Sequence, residues 1–182
     1  MAASAALPGL FFCFAAMVLL IFVSVSAPTW DNISFLNTSG LSFGVFGYTD
    51  SKPHVGYNFP LSVPDINSGV LHNLTYVLIL YPIAAGLAGF AVLFGLCGAA
   101  YHRAGTVFMS LCAALSMLCT LVAWVVSTAL FGTVRNRLID DGISASWGNA
   151  NWIGLGALVA LLLAFCTAAC GVFGHYKRRR DF

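Results

Sequence analysis

The chain has 182 residues, of which 60% are hydrophobic and only 8% charged, with a formal net charge of +2. Soluble domains carry about 25% charged residues, so a soluble globular fold is excluded. The length leaves room for one membrane domain, 1–182, and the slight basic excess gives no reason to expect a nucleic-acid partner.

The first apolar segment, Gly9–Ala27, contains no charged side chain and is long enough to cross a bilayer core as a helix. Val25-Ser26-Ala27 also resembles a signal-peptide cleavage site, which would leave three spans. Against that reading, the segment lacks a basic leader, is long for a signal core, and is followed by Pro28.

The polar connection 28–74 comes next. Leu41, Phe43 and Val45 alternate with Ser42 and Gly44, and Val55, Tyr57 and Phe59 alternate with Gly56 and Asn58. Period-two alternation predicts two strands, with a turn at Asp50-Ser51-Lys52-Pro53 between them. A small antiparallel sheet of this kind is marginal alone and should lean on the helix ends. Asn32-Ile33-Ser34, Asn37-Thr38-Ser39 and Asn73-Leu74-Thr75 fit the N-glycosylation pattern. Asn32 and Asn37 are the better candidates, because Asn73 adjoins the next span.

The second span, Thr75–Ala100, should kink at Pro82. Its small residues include Ala85/Gly89 and Gly95/Ala99 pairs, spaced to let another helix approach closely, within the bundle or from a partner. A short turn, 101–105, leads to the third span, Thr106–Phe131, which is rich in hydroxyls able to bond across helices. The connection 132–151 reads as a helical extension ending in a turn at Gly142. Trp147 and Trp152 then stand where interfacial aromatics are expected before the fourth span, Trp152–Gly174.

Charge position sets the orientation. Arg103 lies in the short turn, and Lys177, Arg178, Arg179 and Arg180 lie in the tail 175–182. The positive-inside rule places the turn, the tail and both termini in the cytoplasm, and 28–74 and 132–151 outside. The tail's four basic residues are suited to anionic lipid headgroups, at about 1 kcal/mol each. The fold expected is an all-α membrane protein, a four-transmembrane-helix bundle carrying a small extracellular antiparallel β-sheet.

No catalytic or metal-binding motif is present, and no cofactor is expected. Every Lys, Arg and Asp lies outside the spans, and the chain has no Glu. An enzyme or ion path inside a membrane normally needs such residues there. Asp140-Asp141 alone is a poor calcium site. His54 and His72 outside, and His102 and His175 inside, read as ordinary loop or end histidines. The six cysteines all fall in spans, which excludes a disulfide framework outside; Cys97 and Cys170, near cytoplasmic helix ends, are candidates for palmitoylation.

Several of these segments together resemble the PalI group of fungal tetraspan proteins, pH-response regulators related to claudin-like cortical-patch proteins. The similar residues are Ser26-Ala27-Pro28, Phe43-Gly44-Val45-Phe46-Gly47-Tyr48, Val55-Gly56-Tyr57, Tyr81-Pro82-Ile83-Ala84-Ala85, Trp147 and Trp152, and the basic tail. Thr49 stands where the family pattern has a cysteine, and no cysteine precedes Gly56, so a covalent clasp is missing. The resemblance implies a non-catalytic plasma-membrane protein that stabilises or localises a larger polytopic partner, in the PalI case a pH-sensing complex. Alternatives are a self-associating organiser of membrane patches and an auxiliary subunit of a cell-wall synthase. The candidate contact residues are Phe43, Phe46, Tyr48, Tyr57 and Phe59 in the connection, and Ala85, Gly89 and Gly95 in the second span.

Overall fold

A computed structural model of the chain describes residues 3–38, 40–60, 69–100 and 103–177. In chain order the elements are α1 (Ala3–Ser24), β1 (Leu36–Thr38), β2 (Leu41–Phe43), α2 (Gly69–Val77), α3 (Leu80–Ala100), α4 (Arg103–Asp140), β3 (Ala145–Trp147) and α5 (Ala150–Lys177). Helix α1 packs between α3 and α5, and α4 closes the ring by packing against both; α2 lies on α4. The fold is a four-helix membrane bundle with a small antiparallel sheet at one end.

Three helical stretches, Gly69–Gly98, Val107–Asp140 and Ala150–Thr167, have the length and apolar composition to cross a membrane, and the apolar part of α1, Pro8–Ser24, is shorter. None has a polar face, because lipid and neighbouring helices present equally apolar surroundings. Helix α1 is one wall of the ring: Cys13, Ala16, Leu20 and Val23 are all fully buried. It starts earlier than the apolar run suggested and stops at Ser24, whose hydroxyl turns back to the Leu20 carbonyl at 2.7 Å. Pro28 follows shortly after, where a helix cannot continue easily.

The second span is not one helix from Thr75. It begins at Gly69 and breaks at Leu78–Ile79. Pro82 is the cause, since it has no N–H to give to the Leu78 carbonyl and its ring crowds that turn. Leu78 instead accepts a tighter bond from the Tyr81 N–H at 3.1 Å. Below the break, Ser116 of α4 donates to the Ala84 carbonyl at 2.8 Å and ties the two helices together.

Helix α4 has 38 residues, or about 57 Å at 1.5 Å per residue, against a hydrocarbon core of about 30 Å. Its last turns therefore stand clear of the membrane and support the sheet. The helix ends where Gly142 takes φ 77°, and the Gly142 and Ile143 amides bond back to Ile139 and Leu138 at 3.0 and 2.8 Å. That glycine-terminated end satisfies the helix's last carbonyls.

The sheet differs from the expected hairpin. Its order is β2-β1-β3, so the central strand is Leu36–Thr38 and the third comes from beyond α4. Residues 55–59 form no strand. Gly56 at φ 72° turns the backbone there, although Tyr57 and Phe59 keep the alternating burial that their spacing predicted. The turn before them falls at Tyr48–Ser51, where the Ser51 N–H meets the Tyr48 carbonyl at 2.9 Å.

Candidate partner interface at the sheet end

Three contacts tie residues 34–45 to the chain just beyond α1 and just before α5. The Ser26 hydroxyl accepts the Val45 N–H at 3.0 Å, and Gly44 lies directly on the Ala27 backbone, where a Cβ would collide. This is why the FGVFGY segment needs glycine at that position. Gly148, after β3, packs against the Ser34 backbone in the same way. The sheet is thereby anchored to the segments that flank α1 and α5, and β3 rests on α4. Thr49, at the missing cysteine's position, accepts the Ser42 N–H at 3.2 Å and donates to Asp31 Oδ1 at 3.1 Å. Polar contacts hold this position without a covalent link.

The aromatic side chains build a continuous core between the sheet and the bundle. Phe35 stacks on Phe131 of α4 with centroids 5.0 Å apart and planes 8° from parallel, and it touches Tyr81 of α3 at 5.6 Å. Phe43 and Tyr57 each lean on Phe59, at 5.3 and 5.5 Å. The Tyr57 hydroxyl donates to the Gly44 carbonyl at 2.9 Å. Gly56 is overlaid by the Tyr76 ring of α2, so the VGY element pins the connection to that helix.

Burial pushes the Tyr57 phenol above its ordinary range, since the charged phenolate cannot be solvated there. Above pH ~10 the unfolded chain loses this proton and the folded chain keeps it, so stability falls as pH rises through that value. Tyr57→Phe should be less stable by about 1 kcal/mol at pH 7, from the lost hydrogen bond. It should lose less stability than the parent between pH 9 and 11. Thermal melts in detergent at pH 7, 9 and 11 check both signs.

The structure divides the candidate contact residues. Phe43, Tyr57 and Phe59 are at most 3% exposed, so they support the sheet from inside. Phe46 and Tyr48 are half-buried and present part of their rings. Ala85 is buried. Gly95 receives Leu10 and Met109, and Gly89 faces Met17 (a Cβ at Gly89 would stand 3.5 Å from its sulfur). The small-residue face of α3 is therefore occupied by α1 and α4.

Asn32 is exposed, and Asn37 is half-exposed on β1. Lys177 is the last residue of α5, and Arg178, Arg179 and Arg180 lie outside the described residues. Cys97 is exposed on α3; nothing is described of the Cys170 side chain.

The residues that the sequence did not single out are Phe35, Phe131 and Gly148. Their roles depend on elements about a hundred residues apart being brought together. Phe35-Leu36-Asn37-Thr38 reads apolar-apolar-polar-polar, so no period-two alternation marked β1 in the sequence.

Inside the bundle, the hydroxyls are all turned to structural use among the described residues. Tyr81 donates to Ser127 at 2.9 Å, and Ser127 to the Trp124 carbonyl at 3.0 Å. Thr120 bonds to the Ser116 carbonyl, and Thr128 reaches Asn151 Oδ1 at 3.0 Å. The Trp124 indole N–H donates to the Asn151 carbonyl at 3.2 Å. No three His, Cys, Asp or Glu side chains converge among the described residues.

A closed ring of membrane helices, capped by a sheet drawn from two separate connections, defines a claudin-like tetraspan membrane protein. A family model of the SUR7/PalI family matches residues 5–170, and the chain belongs to that family. No curated protein matches it.

Proposed function

We propose that this chain is a non-catalytic plasma-membrane protein that binds a larger polytopic membrane protein and stabilises or localises it. The observation that carries this reading is the state of the bundle interior. Its hydroxyls are paired with one another and with helix carbonyls, and its spans hold no charged side chain. Such an interior is suited to holding shape. Proton relays and ion paths through a membrane are usually marked by ionisable groups facing the path.

In this reading the sheet end faces outward and both termini are cytoplasmic, as the positions of Arg103 and of the basic tail in the sequence favour. The partner touches the sheet end, at Phe46 and Tyr48, and the basic tail rests on anionic lipid. By family resemblance the partner is a component of ambient-pH sensing.

A photocrosslinking amino acid at position 46, activated in native membranes, tests the reading. A discrete adduct with a different membrane protein is expected. A ladder of this chain alone would establish self-association instead, and the absence of any protein adduct would remove the proposed contact.

A further inference from the structure

We propose that Asn37 is an N-glycosylation site whose glycan lies over the polar face of the three-stranded sheet, an inference that rests on the outward placement of the sheet end. The Asn37-Thr38-Ser39 triplet is a weak signal by itself. The geometry strengthens it. Strand β1 is central, with Leu36 and Thr38 buried beneath it and Asn37 half-exposed on the other face. The register sets Ser42 beside Asn37 on one neighbouring strand and Ser146 on the other. Both are small and polar, so no bulky side chain obstructs a sugar at this position.

The amide is also oriented. The Ser34 hydroxyl donates to Asn37 Oδ1 at 2.7 Å, and Nδ2 has no partner among the described residues. Transfer from a lipid-linked oligosaccharide pyrophosphate takes place at that nitrogen, within the Asn-x-Ser triplet. A bond forms from Nδ2 to the sugar C1 and the amide releases one proton. The C1–oxygen bond breaks, and its electron pair leaves with the lipid pyrophosphate. Oδ1 is untouched, so the product keeps the Ser34 bond and its glycan departs from the atom that the fold leaves free.

Chain order provides the opportunity. β1 cannot complete the sheet until β3 has been made, and α2, α3 and α4 come between them. At ~5–20 residues per second, the roughly 100 intervening residues take ~5–20 s to synthesise. Asn37 is therefore accessible to a membrane-bound transferase before both its neighbours are in place. Asn32 is exposed, but its side chain has no such orienting bond among the described residues. At the Asn73 triplet, the Thr75 hydroxyl is buried and committed to the His72 carbonyl at 2.7 Å. A glycan on Asn37 would cover the Ser42–Asn37–Ser146 row and direct protein contact toward Phe46 and Tyr48.

The test uses the full chain expressed in eukaryotic cells. Asn37→Gln and Ser39→Ala are compared with the parent before and after peptide N-glycosidase treatment. Ser39→Ala destroys the triplet while leaving the Ser34–Asn37 bond intact. A separate Asp141→Cys variant, treated on intact cells with a membrane-impermeant maleimide, reports which side the sheet end occupies. Both sequon variants should lack one glycan step that the parent shows, and the thiol introduced by Asp141→Cys should label from outside. Co-migration of parent and sequon variants before treatment overturns the proposal. If the introduced thiol labels from outside, that result defeats the glycan site alone; if it does not label, the outward placement falls as well.

Discussion

Phe35→Ala should lower the stability of the purified protein by about 3–5 kcal/mol, the range for removing a fully buried phenylalanine. The ring lies at 0% exposure between Phe131 of α4 and Tyr81 of α3, and it joins the sheet to two membrane helices at once. Its removal leaves a void that the central strand cannot fill, because Leu36 and Phe43 beside it are themselves fully buried. In a thermal melt in mild detergent, the loss should appear as a drop in Tm of roughly 10 °C. Leu118→Ala, at a side chain 53% exposed toward lipid, should change stability by less than ~0.5 kcal/mol. Equal effects from the two variants would show that the aromatic stack is not what joins the sheet to the bundle.

Gly44→Ala should be nearly as damaging, at about 3 kcal/mol, through overpacking rather than a void. The added methyl would occupy the space of the Ala27 backbone, which cannot rotate away as a side chain would. The connection would have to lift, stretching the Val45–Ser26 and Tyr57–Gly44 hydrogen bonds together. Gly40→Ala is the useful contrast. Gly40 has φ 91° but nothing within 4 Å of its added Cβ, so its cost is backbone strain alone, about 1–2 kcal/mol. Melts of the two variants should therefore differ, with Gly44→Ala the lower. The reverse order would contradict the close approach of the FGVFGY segment to the end of α1.

The membrane helices were legible because their signal is long and one-sided: some twenty apolar residues without a charge admit few alternatives. The end of α4 was legible for a local reason, the glycine that takes a left-handed conformation at Gly142. Strand β3 was not. Three residues, Ala145–Trp147, are too few for a period to be visible, and their partner lies on the far side of three helices in the chain. The region 55–59 misled for a related reason. Alternating burial comes from alternating side chains, and Tyr57 and Phe59 achieve it by packing on other rings without a paired strand.

The candidate interface was legible as a set of residues more than as a surface. Sequence identified the aromatic cluster, but not which rings face inward, because that depends on Phe131 and Tyr81 arriving from α4 and α3. The small-residue face of α3 was ambiguous in the same sense. Its spacing permits a close helix neighbour, and the neighbours prove to be α1 and α4 of the same chain.

A bundle whose interior hydroxyls are satisfied within it leaves its ends and outer faces to do the work. The most direct measurement is purification of the tagged chain from native membranes in mild detergent, with the mass of the particle and its protein content determined together. A stoichiometric complex with a second, larger polytopic protein is the expected result. A homogeneous particle containing this chain alone, in several detergents and in lipid nanodiscs, would contradict it.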